Sequence, residues 1–198
     1  MKKTLNLIVL VFTVLVLFGP AKADQLAFVA TLTGGSEVPP TGSSGVGSAL
    51  VTFDTVTNMM TINVSFSGLG TPTVASHIHC CGPAGTNQMV ATTTPSFPGF
   101  PLGVTSGTFL ATFDMSAASS YNPMFVTAHG GTVAGAQAAF LAGLIGGQSY
   151  LNIHTMQFMG GEIRGQLAPL PEPGSLLLLS TGLMGAAEVF RRRRRRKG

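Results

Sequence analysis

Along residues 61–66 the side chains alternate, with Ile62, Val64 and Phe66 apolar and Thr61, Asn63 and Ser65 polar. A two-residue period is that of a β-strand with one face buried. The same short, β-branched or aromatic texture recurs at 25–32, 47–53, 60–66, 73–79, 107–115, 149–155 and 162–167, each bounded by Gly, Pro, Asn or Asp. Strands of this length and spacing predict an antiparallel sandwich or barrel, and residues 54–58 predict a hairpin turn between two of them. Two stretches follow a helical period instead. Thr132 is a cap for a helix carrying Val133, Ala136, Gln137, Phe140, Leu141 and Leu144, with Gly146 and Gly147 as its stop. Asn122 and Pro123 predict the cap and first-turn proline of a shorter helix that ends near His129 and Gly130. The expected domain is mainly β, an antiparallel sandwich with one or two short helices late in its sequence.

A faint internal echo runs through this pattern. "GSALVTFD" (47–54) matches "GTFLATFD" (107–114), and "SHIH" ending at His79 returns loosely as "LNIH" ending at His154. Two matches in the same order predict a pseudo-twofold sandwich in which His79 and His154 hold related places.

The ends are patterned differently. Two lysines, an apolar run over 5–18, a Gly-Pro break and the small pair Ala21 and Ala23 form a secretory signal with cleavage expected after Ala23. A transmembrane anchor would need about 17 to 25 apolar residues, and this run is shorter and interrupted by Asn6 and Thr13. At the other end Pro171, Glu172 and Pro173 precede an apolar stretch over 175–190, followed by arginines 191–196 and Lys197. An apolar helix stopped by a basic cluster is a short membrane span with its basic side in the cytoplasm, and Glu188 inside it weakens stable anchoring. The chain therefore divides into a signal helix (1–23), one domain (24–168) and a terminal segment (169–198).

These ends change the charge picture. All but one of the eleven basic residues lie in the terminal segments, leaving Arg164 against Asp24, Glu37, Asp54, Asp114 and Glu162, a net of about −4 for the domain. Nucleic-acid binding loses its electrostatic support. The domain is rich in Gly, Ser and Thr and almost free of charge, so it has few groups for acid–base catalysis.

Candidate chemistry concentrates at 76–85, "SHIHCCGPAG". In a strand His77 and His79 point to one face with Ile78 to the other, and two imidazoles at that spacing chelate a borderline ion such as zinc or copper. A third ligand is needed, and His154 is the candidate because it ends a comparable strand. The plainer alternative is a set of polar strand-end residues bonded to backbone or water. Cys80 and Cys81 leave three options, a vicinal disulfide (ranked first, for an oxidising address), intermolecular pairing, or thiolate ligation beside the histidines. His129, at a helix end, reads as a structural partner of the helix dipole. Glu162 and Arg164 share a strand face and read as a structural ion pair. Ser, His and Asp occur, but no nucleophile-elbow motif joins them, so a hydrolase ranks last.

The tripartite C-terminus resembles the PEP-CTERM sorting signal of Gram-negative bacteria. The resemblance implies recognition by an exosortase, a membrane processing enzyme acting near residues 171–173, and a product at the outer surface or in extracellular polymer. "SHIH" with its Gly-Pro-Ala-Gly loop, and "YLNIHTMQFMGGEIRGQL" (150–167), resemble the CHRD domain. That resemblance implies an immunoglobulin-like β-sandwich and, in most members, no assigned enzymatic activity; Met159 replaces a common proline, and the double cysteine is not general. The His-x-His strand is also similar to copper-zinc superoxide dismutase, a second sandwich type, but that dinuclear site needs six histidines and an aspartate, and this chain has four histidines. Two functions are expected in order. The first is a non-catalytic exported protein whose partners are surface proteins or exopolysaccharide, with no cofactor; the second is a mononuclear copper or zinc protein, redox-active if the ion is copper.

Overall fold

Asp54 sets the first turn: its Oδ1 accepts from the amides of Val56 and Thr57, both at 2.8 Å, and Asn58 closes the turn at φ 59°. The strands it joins, β2 (Val46–Asp54) and β3 (Met59–Ser67), pair antiparallel without a register break. Ala49, Val51 and Phe53 on β2, and Met60, Ile62, Val64 and Phe66 on β3, are buried, so the alternation read from sequence is the alternation of the core face. The computed structural model describes residues 25–170 and, near the C-terminus, Thr181, Gly182, Met184 and Gly185. The signal helix and most of the terminal apolar helix lie outside the described residues, among which no helix is long and apolar enough to cross a membrane.

The remaining strands are β1 (Gln25–Thr33), β4 (Thr73–Cys80), β5 (Met89–Val90), β6 (Gly107–Asp114), β7 (Ser149–Thr155), β8 (Ile163–Gln166) and β9 (Ala168–Pro169). All pairings are antiparallel, in the order β5-β4-β7-β8-β1-β2-β3-β6. β8 meets β1 through Thr33 and Arg164, while β9 meets it through Val29 and Ala168 and through Phe28 and Pro169, all in one register. A single strand path interrupted at Leu167 thus ties two four-stranded halves together. The sheet curls into a sandwich-like fold around one core, built from Phe28, Leu32, Phe53 and Ile62 of one half and Ile78, Leu151 and Ile153 of the other.

The helices stand where the caps predict. α1 (Pro123–Ala128) starts at Asn122, whose side chain accepts from Met124 N at 3.0 Å, and α2 (Val133–Ile145) starts at Thr132, whose Oγ1 accepts from Gly135 N at 3.1 Å. Phe125 of α1 and Phe140 and Leu144 of α2 add to the core. The repeated "GxxxxTFD" texture has a simpler origin than a pseudo-twofold. β2 and β6 flank β3 in equivalent register, Gly47 and Gly107 both opposite Phe66, and Phe53 and Phe113 both opposite Met60. The echo is a translation across one strand, whereas "SHIH" and "LNIH" are antiparallel neighbours with His79 opposite Tyr150 and His154 opposite Ala75.

Gly143 of α2 lies against the disulfide formed by Cys80 and Cys81, where an added methyl would overlap Cys80 Sγ and sit 2.9 Å from Cys81 Sγ. Alanine at an interior helix glycine gains about 1 kcal/mol of propensity, while overpacking costs about 1–3 kcal/mol. Since the disulfide cannot rotate aside, Gly143→Ala is expected to lower stability by up to about 2 kcal/mol, measured by urea denaturation.

Candidate metal centre

In most antiparallel sheets the outward face of a strand is polar and wet. In β4 residues 76–80, and in β7 all residues, are buried on both faces. The inward set includes Ile78, Leu151 and Ile153; the outward set is His77 and His79 on β4, Tyr150, Asn152 and His154 on β7, and Arg164 on β8. Register makes these a compact group, with His77 opposite Asn152, Asn152 opposite Arg164, and His79 opposite Tyr150.

Three loops seal this face. The 34–41 loop brings Ser36 O to Arg164 Nε (2.5 Å) and Glu37 Oε2 to within 3.8 Å of the same nitrogen. The 81–88 loop brings Asn87 Oδ1 to Arg164 Nη1 (2.9 Å) and Gln88 O to His79 Nδ1 (2.7 Å). The 156–161 loop brings Met159 O to His154 Nδ1 (2.8 Å). The guanidinium of Arg164 lies 4.5 Å over the Tyr150 ring, and Tyr150 in turn stacks on His79 with 4.6 Å between centroids and 7° between planes.

His77, His79 and His154 converge. Their rings lie 4.6 Å (His77 and His154), 5.1 Å (His77 and His79) and 6.3 Å (His79 and His154) apart, and candidate donor nitrogens of all three fall within 4.8 Å of one another. A carbonyl only accepts, so Gln88 holds a proton on Nδ1 of His79 and leaves its Nε2 as a lone pair. His79 Nε2 and His77 Nδ1 are buried with no hydrogen-bond partner, while His154 lies between two oxygens, Met159 O at Nδ1 and Asn152 Oδ1 at Nε2 (3.0 Å). An unpartnered buried nitrogen costs about 1–3 kcal/mol, and an ion shared with His154 would satisfy both in exchange for the contact of His154 Nε2 with Asn152 Oδ1. Zinc or copper nitrogens lie about 2.0–2.1 Å from the ion, hence roughly 3–4 Å apart, so ring rotations of small amplitude would close the set. Imidazole nitrogens held through Nδ1 by backbone carbonyls match the oriented ligands of metal sites.

Electrostatics keep these ligands neutral. Burial, with His154 and His79 as neighbours, pushes His77 down to about 3; burial also pushes His79 down to about 4, against the pull of the Gln88 carbonyl, and lowers His154. Glu37 moves the opposite way, raised by burial to about 7 despite Arg164 beside it.

The other candidates separate from this cluster. Cys80 and Cys81 are bonded to each other, and among the described residues no free cysteine is left to assist as a thiolate. The carboxylate paired with Arg164 is Glu37, not Glu162. Glu162 is fully buried on a different network, accepting from Ser43 Oγ (2.6 Å), Gly70 N (2.7 Å) and Thr155 Oγ1 (2.6 Å), because β8 begins after it and its side chain turns toward the 43–45 and 70 turns. His129 caps its own helix, with Nδ1 2.8 Å from Phe125 O. Sequence reading missed Asn152, Tyr150 and Glu37. The first two share the period-two face of His154 and were readable from it; Glu37 comes from a distant loop and carries no local signal.

The family model of the CHRD domain matches residues 28–167, and that of the PEP-CTERM protein-sorting motif matches residues 169–196. No curated protein and no solved structure matches the chain.

Folding responds to pH through opposed groups. His77 and His79 bind their protons less tightly folded than unfolded, where histidine titrates near 6.5, so their contribution is present above that value and is lost as pH falls toward 4. Glu37 binds its proton more tightly folded, about 7 against 4.5, so its contribution is present below 4.5 and lost as pH rises to 7. The histidines outnumber the carboxyl, and the metal-free protein is expected to lose stability on acidification below pH 6.5. His77→Gln should flatten that slope by up to about 1.4 kcal/mol per pH unit. Urea denaturation across pH with a chelator present measures both.

Proposed function

The chain belongs to the CHRD domain family, and from that membership we propose a non-catalytic exported protein whose domain holds one copper or zinc ion through His77, His79 and His154. The PEP-CTERM motif marks the chain for export, for processing by the membrane enzyme exosortase, and for association with the cell envelope of a Gram-negative bacterium. On our reading the signal helix ends at Ala23, the domain spans residues 24–168, and the processed product resides on the outer surface or in extracellular polymer, among exopolysaccharide and surface proteins.

The observation that carries the metal reading is the convergence of three buried, neutral imidazoles with two ring nitrogens left unpartnered. The ligands are each 7–8% exposed under their loops, an enclosure suited to retaining an ion rather than turning over a substrate. Three neutral nitrogens suit zinc and copper(II). Tyr150 and Arg164 would hold the His79 ring in place.

Elemental analysis of the purified protein is expected to give one copper or zinc per chain. His79→Ala should lose it. Low, equal metal content in wild type and His79→Ala would overturn the metal reading and leave a purely structural or binding role. A chain ending at Leu170 is expected to disappear from the envelope fraction; unchanged localisation would refute the sorting role of the tail.

A further inference from the structure

The two edges of the sheet are finished differently. Along β4 the outward backbone groups are consumed by the 91–104 segment: Ile78 N donates to Thr92 Oγ1, Ser76 N to Ser96 Oγ, Phe97 N to Ser76 O, Thr73 N to Val104 O and Gly103 N to Thr73 O. At the opposite end of the sheet β6 pairs with β3 over eight residues without a register shift. Among the described residues, nothing else bonds the backbone of residues 108–113. In an antiparallel strand half of the residues turn both N–H and C=O away from the neighbour, so β6 presents a row of unpaired groups. Edges of this kind are normally protected by lysine, proline, a bulge or a covering loop; β6, "GTFLATFD", has none of these.

We propose that β6 is a self-pairing interface through which two copies of this chain join antiparallel, extending each sheet across a twofold axis. Directly opposed residues in a sheet share a face; two registers of seven residues respect this, and the one centred on Leu110 keeps Asp114 out of the pairing. Leu110, 70% exposed at the middle of the strand, then meets its own counterpart, and Thr108 meets Thr112 of the second copy. On the inner side Phe109 faces Ala111 and Phe113 faces Gly107, so each large side chain meets a small one. The single charge, Asp114, lies at the strand end, and antiparallel pairing places the two copies of it about 24 Å or more apart. Among the described residues each copy has one open edge, so the pairing closes at two and does not run on as a fibre.

Sedimentation of the protein recovered from the envelope tests this. Wild type is expected to be a dimer that dissociates on dilution, and Leu110→Lys should weaken it at least tenfold, with an unchanged thermal melt at a dilution where both are monomeric, because the side chain is exposed. Leu50→Lys, on the same outer face but on an interior strand, should leave the dimer intact. Leu110→Cys should give a disulfide-linked dimer on mild oxidation, since opposed strand residues lie within disulfide reach, and Leu50→Cys should not. A monomer at all concentrations, or equal disruption by Leu50→Lys and Leu110→Lys, would overturn edge pairing, the latter in favour of face-to-face stacking.

Discussion

The burial of Arg164 is the constraint on which the rest of the outer layer depends. It is the only cation between the terminal segments, it is 3% exposed, and a buried charge is tolerated only when its donors are satisfied. Its partners come from everywhere: Ser36 and Glu37 from one loop, Asn87 from a second, and the Tyr150 ring from the neighbouring strand. To satisfy one guanidinium the fold must lay two loops over β7 and β8. Asn87 then also ties the loops together by donating to Val38 O. Replacing such a buried pair by apolar groups is often harmless, while removing one partner is costly, so the network reads as a specification of geometry more than a source of stability.

That geometry makes the histidine cluster what it is. With the loops closed, the imidazoles lose water and their affinity for protons falls, so they remain neutral where an exposed histidine would begin to charge. Arg164 on Tyr150 on His79 forms a stack that fixes one ring, while a carbonyl from the second loop fixes its tautomer. The same loops exclude solvent and orient ligands, which couples any ion held there to the integrity of the whole face. The disulfide between Cys80 and Cys81 sits on the other side of the strand against α2, so the histidine-cysteine stretch is two sites facing opposite ways and not one.

The sheet edges repeat this contrast between closed and open. The half that carries the histidines has its edge sealed by a chain segment that also covers the core, with Phe97 and Phe100 reaching across to Phe109. The other half ends in a strand whose inner face is anchored by those same aromatics while its backbone edge stays free. Rigidity from the core and freedom at the edge are what strand pairing between molecules requires.

Sequence alone determined the local elements. Period-two alternation placed the strands and the shared face of His77 and His79, and Asn122 and Thr132 placed both helices, because strand faces and helix caps are set by residues within a few positions of one another. The C-terminal sorting motif was equally readable, since such a signal is contiguous. What only the tertiary structure decided is which distant groups meet: that His154 comes to His77 and His79, that Glu37 rather than Glu162 answers Arg164, and that the echo of 47–54 in 107–114 is two strands serving one neighbour. Arg164 and Ser36 are 128 positions apart, and no local pattern carries the register of strands that bring such residues together. The one clue lay in hindsight on β7, where Tyr150, Asn152 and His154 share a face by the same alternation; the loop that completes them is positioned by burial, which has no period to read.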